Sequence, residues 1–324
     1  MRHAVIIAVG LLLQAIAPAV MGNSFTQVTS NVWLLPGQLQ ENRSPDGNIE
    51  ILRGTHGVIV VDTGRNDDHT DALIDSLTQM KMPIAGVFNT HWHLDHIGGN
   101  AKLKQQWPDI HIYAHPSLDT ALSGFHKIYR DQLETYLPTL PPGSADHQRY
   151  TTELELLKLD RLLRETDSIA QSSTMKLAGL TLEVHVSPHS VTEGDVWLYD
   201  VQSKTLIAGD LVTLPVPLFD SACAEGWQRS LAVFSKVKFK TLIPGHGSPM
   251  NRSAFETYRS AFTDLLQCAQ HPENKQQCID SWFADARRLT NPDDEAYGRI
   301  LLSYYFDEFI APHSAGRKKW CGTA

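Results

Sequence analysis

Apolar and polar residues follow two rhythms along this chain, and the rhythms predict its elements. Short apolar runs bounded by turn residues read as strands at Phe25 to Leu35, Asn48 to Arg53, Val58 to Asp62, Ile84 to Asn89 and Ile110 to Ala114. Between them, the pattern from Asp71 to Leu77 is helical, and a second helix is expected from about Asn100 to Gln106. Gly98 and Gly99 let the backbone turn tightly before that second helix. A largely helical insert follows, roughly 116–166, containing Phe125 to Tyr136, a Pro-rich break from Pro138 to Gly143, and Leu154 to Leu163. In the last piece leucines interleave with charges, a face expected to pack on the domain or a second subunit, with a lid as the alternative. Strands resume at Met175 to Leu177, Leu180 to Val186, Asp195 to Tyr199, Thr205 to Ala208 and Thr241 to Ile243, with a helix at about Gly226 to Lys236. After Met250 the chain reads as helical, from Ser253 through Cys268 and on to Phe309. Two halves of strands with outer helices predict an α/β protein, a four-layer αββα sandwich.

Length and charge narrow the picture. The chain has 324 residues, enough for one large core with additions, and a formal charge of −8. Arg317-Lys318-Lys319 is its one prominent basic run, so nucleic acid is disfavoured as the main partner. Arg2, the apolar stretch Ala4 to Ile16 and the small residues around Ala17 to Gly22 read as a cleavable secretory signal, too short for a comfortable membrane span. The expected organisation is a signal peptide at 1–22, a main domain at 23–250 and a helical C-terminal extension at 251–324. The expected address is periplasmic or secreted, without stable membrane insertion after cleavage. Cys223, Cys268, Cys278 and Cys321 lie outside any metal motif, and an even number in an exported chain points to disulfides, with three connectivities open. Pro272 and Asn274, in the loop between Cys268 and Cys278, favour that pair; Cys223 and Cys321 would then tie down the tail.

The chemistry is concentrated in Thr90-His91-Trp92-His93-Leu94-Asp95-His96-Ile97-Gly98-Gly99-Asn100. Three histidines and an aspartate follow directly on an apolar run, and imidazole and carboxylate are the ligands a borderline cation such as Zn²⁺ takes. One such loop can feed two metals, with His91 and His93 aimed at one and Asp95 and His96 at the other. His189, Asp210 and His246 each sit where a strand gives way to a loop, the place α/β proteins put binding groups. Any one of these residues alone reads as an ordinary turn or core residue. Their joint order is what points to a metal site. Trp92 is expected either to line the pocket or to fill the core beneath the loop.

The order His-x-His-x-Asp-His, His, Gly-Asp, Pro-Gly-His-Gly resembles the metallo-β-lactamase superfamily, and Val60-Val61-Asp62-Thr63-Gly64 resembles its early Asp-Thr-Gly turn. The resemblance covers roughly residues 25 to 250 and implies a metallo-β-lactamase-like αββα sandwich with metals at one edge of the sheets. Carried over residue by residue, it implies His91, His93 and His189 for the first metal, and Asp95, His96 and His246 for the second. Asp210 would bridge the two, and Asp62 would steady the loop by hydrogen bonding. One departure stands out: His189 lies three residues before Thr192-Glu193-Gly194-Asp195, where relatives have the histidine directly before the Thr. A two-residue insertion accounts for it, and the competing His185 falls inside a strand.

Two zinc ions per chain would activate a shared water for attack on a small-molecule carbonyl in a thioester, lactone, ester or β-lactam amide, with Asp95 orienting the nucleophile. With Asp210 at the bridging position the chain resembles the thioesterase and general hydrolase branches of the superfamily more than its β-lactamases. The runs Thr192 to Trp197, Gly209 to Val212 and Gly226-Trp227 are similar to exported hydrolases, some of which are called quinoprotein relay system zinc metallohydrolases. Two other readings remain: a mononuclear iron oxidoreductase of the persulfide dioxygenase type, and a non-catalytic metal-binding accessory of a periplasmic redox system. The sequence leaves the substrate open and allows a homo-oligomer.

Overall fold

The computed structural model describes residues 24–39 and 43–321. The expected signal peptide lies outside the described residues, and none of the described helices is long and apolar enough to cross a membrane. The first sheet runs β1 (Thr26–Gln27), β2 (Val32–Leu35), β3 (Ile49–Arg53), β4 (Val58–Val61), β5 (Ile84–Phe88), β6 (Ile112–Ala114) and β7 (Asp167–Ser168), each paired with the next. Pairing is antiparallel up to β4 and parallel from β4 to β7. The expected strand from Phe25 to Leu35 is split by a turn, because the Val28 and Thr29 amides both donate to the Val32 carbonyl.

Helix α1 (Asp67–Met80) crosses from β4 to β5, and α2 (Leu94–Ile97) and α3 (Asn100–Gln106) cross from β5 to β6. Strand β4 is apolar on both sides because it is covered on both sides. Val58 and Val60 face Leu73 and Leu77 of α1, while Ile59 and Val61 face the second sheet. The insert comprises α4 (Ser117–Ser123), α5 (Phe125–Tyr136), α6 (Ala145–Lys158) and α7 (Asp160–Leu163). Leu154, Leu157 and Leu163 are buried against Trp92, Leu94 and Ile97. The leucine face therefore packs on the domain, directly under the histidine loop.

The second sheet has the order β12-β11-β10-β9-β8, built from β8 (Ser173–Leu177), β9 (Leu180–Pro188), β10 (Gly194–Asp200), β11 (Thr205–Ile207) and β12 (Thr241–Ile243). Its inner residues Leu182, Val184, Val196 and Leu198 meet Ile59, Val61 and Phe88 of the first sheet. Its outer face, with Trp197, Leu206 and Leu242, is covered by α8 (Ala224–Phe234), α9 (Arg252–Cys268), α10 (Lys275–Asp285) and α11 (Glu295–Tyr305). This is the four-layer αββα arrangement. Asn251 caps α9, its side-chain oxygen accepting the Ala254 amide at 2.9 Å. A short α12 (Ala315–Cys321) ends the described chain. Disulfides join Cys268 to Cys278 and Cys223 to Cys321, so the tail is fastened to the start of α8.

Candidate metal centre

Asp62 ends β4 in the left-handed region, with φ of 57°. This turns its carboxylate back over the histidine loop. Its Oδ1 accepts the Thr90 amide at 2.8 Å, and its Oδ2 accepts both the Thr90 hydroxyl and His96 Nδ1 at 2.7 Å. Because Thr90 has given its only hydroxyl proton to Asp62, its oxygen can only accept from His91 Nδ1, 3.0 Å away. One buried carboxylate thus sets two imidazoles in the same tautomer. His91 and His96 both turn Nε2 lone pairs away from these bonds.

Those lone pairs converge on Asp210, which follows β11. His96 Nε2 lies 3.2 Å from Asp210 Oδ1, and His91 Nε2 lies 3.6 Å from Oδ2. His246, in the loop after β12, places Nε2 3.5 Å from Asp210 Oδ1 and 3.0 Å from Asp95 Oδ2. His91 Nε2, His96 Nε2, His246 Nε2 and both Asp210 oxygens are buried without a hydrogen-bond partner. Buried polar atoms are rarely left so, and five at one point mark a site built for a cation. The backbone makes room: a β-carbon at Gly245 would lie 2.0 Å from Asp210 Oδ1, and one at Gly47 would lie 2.4 Å from the His96 ring. Asn48 locks the two loops together, donating its side-chain amide to the Pro244 carbonyl at 2.7 Å.

Electrostatics agree. Burial, followed by His96, pushes the His91 imidazole well below its usual range, which keeps it neutral and able to ligate. Burial opposes protonation of His96 as well, yet Asp210, Asp62 and Asp95 outweigh it and raise this imidazole well above its usual range, so a proton on Nε2 competes with a cation for that lone pair. The cluster therefore carries surplus negative charge that a bound cation would neutralise.

At this point two groups of ligand-type residues come together: His91, His93 and Asp210, and Asp95, His96 and His246. His189 belongs to neither. It is exposed on the turn between β9 and β10, with φ of 47°, its amide bonded to the Glu193 carbonyl. The reason is the build of that turn. The Asp195 carboxylate accepts the Val191 and Thr192 amides and the Thr192 hydroxyl, so the extra length is spent on a compact loop that leaves His189 outside. His185 lies in β9, stacked on Trp197 at 3.9 Å. Beside His93 there stands a residue without a sequence signal, Ser221. Its hydroxyl donates to the Val191 carbonyl at 2.8 Å, and its oxygen lies 2.7 Å from His93 Nε2. With the Ser221 proton committed, His93 must donate from Nε2, which leaves its Nδ1 lone pair for a ligand. Trp92 is core, buried in the cluster of Leu94 and Leu118.

A 320 Å³ cleft opens over His93 and Asp95. A pair of sheets meeting at a histidine–aspartate cluster defines an αββα protein with a candidate metal centre. The model of the metallo-β-lactamase superfamily matches residues 46–246, and the chain belongs to that superfamily. Among relatives, a hydroxyacylglutathione hydrolase of Nostoc sp. is 37% identical over 70 residues, 21% of this chain and 26% of that protein. The thioesterase pkgB of Emericella nidulans is 31% identical over 155 residues, 45% of this chain and 44% of that protein. The chain thus spans less than half the length of either. A metallo-β-lactamase from Pontibacter korlensis has the same fold, with a TM-score of 0.56, 19% identity, and coverage of 74% of this chain and 99% of that one. The FIM-1 metallo-β-lactamase of Pseudomonas aeruginosa in its mono-zinc form superposes with a TM-score of 0.54 and 19% identity, over 74% of this chain and 94% of that one.

Proposed function

We propose that this chain is an exported zinc-dependent hydrolase that cleaves an ester, thioester or lactone without a covalent enzyme intermediate. The observation that carries the reading is the convergence of five unpartnered buried donor atoms on His91, His96, His246 and Asp210. The donor chemistry, nitrogen and carboxylate oxygen, suits zinc. Asp95, His96, His246 and Asp210 would hold one ion, and His91, His93 and Asp210 a second with fewer protein ligands. Bound zinc lowers the pKa of a water toward neutrality and polarises a carbonyl.

The chain supplies the rest. Asp95 faces the cleft and orients the attacking water through its carboxylate. Asp62, Thr90 and Ser221 fix the imidazoles before substrate arrives, so little reorganisation is left for the reaction. Ser221 is not a nucleophile in this reading, because its proton goes to the Val191 carbonyl rather than to His93. Export is supported by the two disulfides and by the N-terminal signal pattern. The relatives named as thioesterase and hydroxyacylglutathione hydrolase support thioesters as a substrate class.

The test is a hydrolysis panel of thioesters, lactones, aryl esters and a chromogenic cephalosporin on purified zinc-loaded protein, with metal content measured in parallel. Asp95→Asn and His246→Ala should each abolish the activity found. Retention in both variants, or a trapped acyl group on a side chain, would overturn the proposal. One iron per chain in place of zinc would favour the oxidoreductase reading.

A further inference from the structure

We propose that the substrate presents an uncharged aromatic or bulky apolar acyl group, seated between the helical insert and the C-terminal extension. The proposal rests on the hydrolase reading above and adds a substrate class to it. The cleft over the metal centre has His93 and Asp95 at its floor, Phe125 and Tyr129 of α5 on one side, and Tyr297 and Leu301 of α11 on the other. Its 320 Å³ falls in the lower part of the range for small-molecule sites, roughly 300–1,000 Å³.

Two tyrosine hydroxyls at this cleft are already engaged. The Tyr129 hydroxyl donates to Glu153, and the Tyr305 hydroxyl donates to Asp220 at 2.7 Å. What these tyrosines offer a ligand is ring surface. Arg65 is the one lysine or arginine among the described lining residues, and Glu153 holds it at 2.8 Å. Asp95 adds to the field on Arg65, and Asp220 adds another negative charge at the cleft wall. Away from the metal centre, a ligand carboxylate would find no unpaired lysine or arginine among the described lining residues and would meet Asp220. The glutathione moiety, with its two carboxylates, is therefore a poor fit, while a neutral ring would gain burial against Tyr297 and Leu301. Residues 295–305 lie beyond the 46–246 stretch matched to the superfamily, so this wall is supplied by the extension.

The experiment uses the full metal-loaded chain and three thioesters: acetyl and phenylacetyl thioesters of 2-mercaptoethanol, and the phenylacetyl thioester of glutathione. We expect kcat/KM for phenylacetyl to exceed that for acetyl by about tenfold or more, the scale of burying a ring. Glutathione in place of mercaptoethanol should bring no gain. Tyr297→Ser with Leu301→Ser should reduce the phenylacetyl preference, read as the ratio of the two kcat/KM values, to about twofold or less. Tyr297 is 40% exposed, so its replacement opens no core cavity. Equal rates on the two acyl groups, preference for the glutathione conjugate, or a preference that survives the double variant would each overturn the proposal. If no thioester is cleaved, the thioester part of the hydrolase reading fails separately, and calorimetric titration with phenylacetone, a neutral uncleavable probe, decides the cleft. Binding that the double variant weakens about tenfold supports it; no binding to the unaltered chain overturns it.

Discussion

Asp62 and His96 are joined by a 2.7 Å hydrogen bond from Nδ1 to Oδ2, and the same oxygen takes the hydroxyl proton of Thr90. Asp62→Asn is a sharp test of this link, because asparagine also tolerates the left-handed backbone at this position. The amide keeps one acceptor and turns the other into a donor, so either the Thr90 amide or the His96–Thr90 pair loses its partner. Metal affinity should fall by about 10–100-fold, read by competition with a chelator of known affinity. Affinity equal to that of the unaltered chain would show that the imidazoles hold their orientation without Asp62.

The two ligand groups are unequal, and metal binding should show it. Asp95, His96 and His246 share Asp210 with a second group that has only His91 and His93 besides. His189→Ala should leave metal content and affinity unchanged, whereas His246→Ala should remove the tightly held ion. Equilibrium dialysis with zinc, or the visible spectrum of the cobalt-substituted protein, reads both. Loss of metal from the His189 variant would mean that the turn between β9 and β10 swings inward when a cation binds.

How much of this was legible follows from where the information sits. Thr90 to Gly99 could be read because four ligand-type residues are contiguous after an apolar strand. Asp210 and His246 could be read because each follows a strand within a Gly-flanked turn. His189 could not be placed, since residue types do not encode how Asp195 folds a long turn onto the Val191 and Thr192 amides. Ser221 lies in an irregular stretch with no periodicity, and its partner His93 is 128 residues away. The helical character of residues 295–305 was visible, but which face would wall the cleft depended on how α11 packs on α10.

The Cys223–Cys321 disulfide closes a loop across a sequence separation of 98. It fastens α12, whose Trp320 lies 6.5 Å from the Trp92 ring between centroids. A cross-link over so long a loop restrains the unfolded chain strongly. Replacing both cysteines by serine should cost about 2–4 kcal/mol of stability, measured by denaturant unfolding. An unchanged midpoint would mean that the packing around α12 holds the tail without the bond.

His126, which is not among the candidate metal ligands, supplies a pH dependence of its own. It is buried on α5 and donates Nε2–H to the Trp92 carbonyl at 2.9 Å, while its Nδ1 is buried without a partner. Burial pushes its pKa from the ordinary 6.5 down to about 4. Above pH 6.5 the ring is neutral in both the folded and the unfolded chain, and the native contact is fully available. As pH falls from 6.5 toward 4, the unfolded chain takes up a proton that the folded one refuses, so stability drops. The whole excursion is worth about 3 kcal/mol. His126→Gln keeps a donor for the Trp92 carbonyl but cannot titrate. Urea unfolding of both proteins at pH 7.5 and 5.0 should show a smaller acid loss in the variant. An equal loss would place the pH sensitivity elsewhere in the molecule.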